Sequence, residues 1–229
     1  MEIIYHIPHS SIFIPEKYLH EYTIDKRKLL ENAITLCDIR TDEMISESYK
    51  NDTLIFPYSR LFCDVERFDS EHEVMNKKGM GVLYSKNHLL ETIRVNPTPE
   101  IKNYYHTHHK KLNDLVKEKL KRGDVLIFDI HSFSNKKLSY ESNNLERPDV
   151  CIGINERYSE KMLANLISII SEFGYSYCIN EPFSGCLLPS NYIDNKRVNG
   201  FMIEINKKVY DNDQKFKKIQ NMLENVRTI

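Results

Sequence analysis

Apolar positions along the chain fall into short runs alternating with longer stretches of helical period. Residues 3–7, Ile-Ile-Tyr-His-Ile, lead into Pro8-His9-Ser10-Ser11, a buried strand opening into a polar tip. Residues 125–132, Val-Leu-Ile-Phe-Asp-Ile-His-Ser, repeat that form and end in Asp-x-His-Ser. Further strands are expected at 53–56, 60–66, 150–154, 175–179 and 200–205. Thr23 or Asp25 caps a helix reaching about residue 49, in which Leu29, Leu30, Ala33, Ile34, Cys37 and Met44 recur near helical spacing. Thr98-Pro99-Glu100 starts a helix over 101–122 that Gly123 stops. Two more helices are expected, at 159–173 before Gly174 and at 213–226. Residues 68–99 have little period, and long irregular segments of this kind are usually functional loops or covers.

Strands alternating with long helices predict an α/β fold with right-handed crossovers and a mostly parallel or mixed sheet covered on both faces. A chain of 229 residues fits one such domain, residues 1–229, with a sizeable core. A net charge of −1 with scattered lysines argues against a nucleic-acid surface. No run approaches the roughly 18 apolar residues that cross a bilayer. Met1 leads directly into a strand without a secretory n-region, so a cytoplasmic protein is expected. The five cysteines, Cys37, Cys63, Cys151, Cys178 and Cys186, are far apart and read as buried free thiols.

Two strand ends thus deliver histidines, His9 and His131, where open α/β sheets place their chemistry. Either alone reads as a structural or surface residue; the pair predicts a metal site. Asp129 shares a side of its strand with His131 and can contact the imidazole's second nitrogen. A catalytic zinc takes three protein ligands, commonly two His and one carboxylate, and keeps a position open for water. Asp38 and Asp42 are the candidate carboxylates, although four apart on a helix both would ordinarily be solvated. In Tyr105-His106-Thr107-His108-His109, only His106 and His109 share a helix face, and a surface helix explains them; His109 remains a candidate substrate contact. The run from Ser59 to Phe68 carries Arg60, Asp64, Glu66 and Arg67, either as surface ion pairs on an edge strand or with Arg67 as a carboxylate clamp. Glu204 interrupts an apolar strand, either paired in the core or aimed into a pocket as a general base.

Taken in order, several motifs resemble those of the N-formylglutamate amidohydrolases. They are Pro8-His9-Ser10, Ser59-Arg60 through Asp64-Val65-Glu66-Arg67, Gly79-Met80-Gly81, Asp129-Ile130-His131-Ser132, Pro148-Asp149 through Gly153, Asn180 through Gly185, and Ile203-Glu204-Ile205. That family is similar to zinc carboxypeptidases and aspartoacylases. The resemblance implies a three-layer α/β/α core and one Zn2+ per chain on His9, His131 and Asp38, with Asp42 as the alternative carboxylate. It implies Arg67 on a substrate carboxylate, Arg60 in support, and Asn180 and Gly185 as further substrate contacts, with Glu204 as the base; His109 stays the candidate contact read from its helix. The expected partner is a small N-acyl amino acid, with N-formyl-L-glutamate hydrolysed to formate and L-glutamate. Where the relatives' pattern has Asn before Arg, this chain has Glu66. Two rival readings are a metal-stabilised binding domain without turnover and a thiol-dependent amidase using Cys186.

Overall fold

The computed structural model describes residues 1–139, 141 and 147–229. Its strands are β1 (Glu2–Ile7), β2 (Thr53–Ile55), β3 (Val125–Phe133), β4 (Val150–Gly153), β5 (Tyr177–Ile179) and β6 (Val198–Asn206). They form one six-stranded sheet in the order β2-β1-β3-β6-β4-β5. The strands β2, β1, β3 and β6 run parallel; β4 pairs antiparallel with β6 and parallel with β5. Every residue of β3 is buried, which is why its sequence is a continuous apolar run rather than an alternation.

Alternation across the pleat sorts the side chains onto two faces. Ile3, Tyr5, Leu126, Phe128, Phe201 and Ile203 cluster with Leu166 and Ile170 of α3 (Glu160–Glu172) and with Ile219 and Met222 of α4 (Asp213–Val226). Ile4, Val125 and Ile127 cluster with Leu112 and Val116 of α2 (Lys102–Lys119) and with Leu188. The result is three layers, α/β/α. A separate apolar cluster joins Leu29, Ala33 and Leu36 of α1 (Lys26–Leu36) to Leu61 and to Met80, Tyr84 and Ile93 of the irregular segment.

Two expectations are corrected. The helix expected to reach residue 49 ends at Leu36, capped at its start by the Asp25 carboxylate on the Lys28 amide. Cys37 turns extended, the Asp38 amide donates to the His9 carbonyl at 2.9 Å, and Arg40 takes a left-handed φ of 65°. These tertiary bonds override the helical period, and residues 41–52 form short 3-10 turns. The segment 60–66 is not an edge strand. The Phe62 and Cys63 amides turn back to the Ser59 carbonyl, and Leu61, Phe62, Cys63, Asp64 and Val65 are all wholly buried. Its apolar content reflects burial in coil rather than a pleat. The other elements lie within a few residues of their expected bounds, and no described helix is long and apolar enough to cross a membrane.

Candidate metal centre

The alternation that points Ile4 and Ile127 at α2 also puts His6, Asp129, His131 and Glu204 on that face, toward the C-terminal ends of β1, β3 and β6. Register completes the grouping: His6 stands opposite Asp129, and His131 opposite Glu204. All four side chains are buried.

His9 and Asp38 reach this group from loops. His9 follows the end of β1, and its carbonyl receives the Asp38 amide. The Asp38 carbonyl in turn accepts from the Thr41 hydroxyl at 2.7 Å. Lys207, just past β6, donates to the Cys37 carbonyl at 2.7 Å and fixes the loop from the other side. The Asp38 carboxylate then has one oxygen, Oδ2, 3.0 Å from His131 Nδ1 and 3.6 Å from His9 Nδ1. The opposite ring nitrogens face buried carboxylates: His9 Nε2 is 2.8 Å from Asp64 Oδ1, and His131 Nε2 is 3.2 Å from Asp129 Oδ1. Each imidazole therefore shows one nitrogen to a common point and the other to an acid, hydrogen-bonded for His9 and close but without a well-aligned hydrogen bond for His131, much as in sites that orient histidine ligands.

This set fits a divalent ion. Donors around tetrahedral zinc lie at about 2.0–2.1 Å from the metal and so about 3.3 Å from one another, close to the 3.0 and 3.6 Å found here. His9 Nδ1 and Glu204 Oε2 are buried with no hydrogen-bond partner among the described residues. The electrostatics also favour positive charge. Burial opposes charge on His131, but Asp129, Asp38 and Glu204 outweigh it and push its pKa well above the ordinary value. Burial likewise opposes ionisation of Asp38, yet His131 and His9 hold that carboxyl well below the usual range. Glu204, by contrast, is pushed up to about 8, chiefly by burial, with Asp38 and Asp129 adding to the effect.

Two pockets meet this group. A small one, about 50 Å³, is lined by Asp38, Arg60, Ser132, Glu204 and Lys207 among others. A larger one, about 530 Å³, is lined by Glu66, Arg67, Asp129, Arg157, Gly185 and Cys186 among others. Arg60 and Arg67 both lean on the wholly buried Asp64: Arg60 Nη2 donates to its Oδ2 at 2.9 Å, and Arg67 Nε stands 3.7 Å away. Arg67 also donates to the Met80 and Glu66 carbonyls.

Asp42 lies exposed in the turn Thr41–Glu43, apart from this group. His109 Nε2 meets the Val65 carbonyl at 3.0 Å and so holds the charged segment. Asn180 staples its loop to the end of β4, accepting from the Ile154 and Gly185 amides. Gly185 needs its φ of +81°, and Gly153 is required because a Cβ there would lie 2.0 Å from the Gly185 carbonyl oxygen. Burial, with Asp129 and Glu66 nearby, pushes the Cys186 thiol well above its ordinary pKa, against its use as a thiolate.

The sequence reading missed Asp64 as a histidine partner and His6 altogether, and placed His108 on a surface helix although it is buried. His6 Nδ1 lies 2.8 Å from Asp129 Oδ1, and its Nε2 2.7 Å from His108 Nε2. The available signal was parity, since His6 shares a strand face with Ile4 in an otherwise apolar run.

A family model for N-formylglutamate amidohydrolase matches residues 1–211 of this chain. The crystal structure of N-formylglutamate amidohydrolase from Ralstonia eutropha JMP134 superposes with a TM-score of 0.78 at 18% identity, covering 99% of this chain and 92% of that one. The crystal structure of a gene product from Agrobacterium tumefaciens gives 0.69 at 14% identity, covering 99% and 89%. At such identities the likeness establishes the fold. No curated protein matches the chain.

Proposed function

The chain belongs to the N-formylglutamate amidohydrolase family, and on that premise we propose that it is a metal-dependent hydrolase of small N-acyl amino acids, with N-formyl-L-glutamate as substrate. The observation that carries this reading is the convergence of His9 Nδ1, His131 Nδ1 and Asp38 Oδ2 beside a buried, unpartnered Glu204 oxygen. His9, Asp38 and His131 hold the metal. A divalent ion held there would supply Lewis acidity to the amide carbonyl and a water acidified towards a pKa of about 7, and would favour the ionised form of Glu204.

Glu204 accepts the proton of the attacking water and returns it to the departing amine. Burial raises the proton affinity of Glu204 above that of an exposed carboxylate, so its ionised form is the stronger base for that proton. Arg60 lines the same pocket as Asp38 and Glu204, so its guanidinium stabilises negative charge developing on the carbonyl oxygen. Arg67, from the larger pocket, takes the substrate's carboxylate. Asp64 and Asp129 hold the two histidine rings in the ligating orientation. Water adds across the formyl C–N bond, giving formate and L-glutamate.

The direct test is formate release from N-formyl-L-glutamate before chelation, after chelation and after zinc is restored. Activity should vanish and return, and His9→Ala should lose the ion held by His9, Asp38 and His131. Hydrolysis that survives chelation, or that disappears on Cys186→Ser while metal is retained, overturns the reading.

A further inference from the structure

Beyond the triad assigned above, a second group of donors faces the larger pocket. His6 Nδ1 lies 2.8 Å from Asp129 Oδ1 and 3.4 Å from Glu66 Oε1. The three ligand atoms are all within 4.8 Å of one another. His6 and Asp129 are wholly buried, and the Glu66 side chain retains 14% exposure. We infer that His6, Glu66 and Asp129 hold a second divalent cation beside the one assigned to His9, Asp38 and His131.

Four observations carry this inference. Glu66 Oε1 is shielded from solvent yet has no hydrogen-bond partner among the described residues. Asp129 has its other oxygen occupied, Oδ2 accepting from the Leu187 amide at 3.2 Å, so Oδ1 is the atom turned to His6. The far nitrogen of His6 meets His108 Nε2 at 2.7 Å. A ligating His6 Nδ1 needs its ring proton on Nε2, and the His108 contact offers an acceptor for that proton. Finally, His131 Nε2 is buried, lacks a well-aligned hydrogen bond, and stands 3.2 Å from the same Asp129 Oδ1.

One imidazole and two carboxylates make a donor set suited to zinc or manganese. With His6 neutral and both carboxylates ionised, their charge balances that of one divalent ion. Glu66 and Asp129 both line the larger pocket, which gives the ion and its remaining waters a way in. Asp129 Oδ1 would then serve both centres, meeting His6 on one side and His131 on the other. Paired cations bracket the attacking and leaving atoms in many hydrolases. The inference rests on these side chains and not on the reaction proposed above.

Chelator-treated protein titrated with Zn2+, and separately with Mn2+, tests it by counting bound metal after free ion is removed. Crystals of the zinc-loaded protein locate the ions by anomalous scattering. The parent should retain two ions per chain, and folded Glu66→Gln and His6→Gln variants one, without the peak among His6, Glu66 and Asp129. His9→Ala should keep that peak even if the first centre is lost, so failure of one site is distinguishable from failure of the other. A parent that saturates at one ion held by His9, or two ions retained in both folded variants, overturns the second site.

Discussion

Glu21 and Arg94 bury opposite charges in a closed network, whereas the histidines and carboxylates beneath the strand ends bury theirs in an open one. Arg94 is wholly buried, donates through Nε to Glu21 Oε2 at 2.8 Å, and gives Nη1 to the Phe62 carbonyl at 3.0 Å. The other Glu21 oxygen accepts from the Thr98 amide and hydroxyl. Around Asp38 and Asp129, by contrast, His9 Nδ1, His131 Nε2, Glu66 Oε1 and Glu204 Oε2 are all left without a hydrogen-bond partner among the described residues. Both places hold desolvated charge, so burial alone does not identify a site. What separates them is unmet valence: a structural ion pair answers its own donors and acceptors, and a binding site leaves some for a ligand.

Substitutions on the two sides of this contrast should fail in different ways. On the open side, Glu204→Gln keeps size and polarity but cannot take up a proton, so kcat should fall by roughly 10² to 10⁴. Circular dichroism and metal content should match the parent; a matched variant with near-parental formate release would remove Glu204 as the base. On the closed side, Arg94→Met strands a buried carboxylate and should reduce stability by about 3 to 5 kcal/mol in urea unfolding. Its kcat per folded molecule should stay near the parent's. A large kcat defect with little loss of stability would reverse the assignment of the two networks.

A smaller effect is expected at the border between them. Arg67→Ala should reduce kcat/KM for carboxylated substrates by the value of a charge-assisted contact, about 1.5 to 3 kcal/mol, and spare matched neutral amides. Equal losses on both substrates exclude the clamp. The smallest effect is on pH dependence. Burial raises the Glu21 pKa, but Thr98 and Arg94 outweigh it and hold the carboxyl below its usual value of 4.5. The folded pKa is thus below the unfolded one. The resulting stability is present above the usual value and is lost as pH falls through the folded one. The parent should therefore lose stability between pH 5 and pH 3 more steeply than Glu21→Gln, by no more than about 1.4 kcal/mol per pH unit. Parallel curves would mean that Glu21 is not held low.

Much of this arrangement was legible in the chain because strands write their burial directly into sequence. The run 125–132 placed Asp129 and His131 on one side of a central strand, and the Glu at 204 broke an apolar run that is indeed buried. Asp38 was harder to read. Its helical neighbours Leu29, Ala33 and Leu36 carry the period, and nothing local announces that the His9 carbonyl captures its amide and ends the helix. The segment 60–66 misled for a related reason. Coil buried on all sides has the composition of a strand, and its charges, Asp64 above all, looked like surface features when they are held by Arg60 and Tyr84 in the interior. His108 was read as part of a surface helix, yet it is buried against His6, a contact spanning 102 positions that no helical wheel could supply.

The Lys207 ammonium on the Cys37 carbonyl has a consequence for how the molecule is assembled. It joins positions 170 apart, and Tyr210 adds a second tie to the Ile39 carbonyl. Because β6 lies between β3 and β4, the sheet cannot close until residues 198–206 have docked. His9, Asp38 and His131 all precede that strand, and the loop bearing Asp38, already tied to the His9 carbonyl, receives its second fastening from the chain that follows β6. Contacts so distant carry a high loop-closure cost. The Asp38 loop is therefore complete only once β6 is in place, and on the function proposed above metal capture would follow that docking rather than precede it.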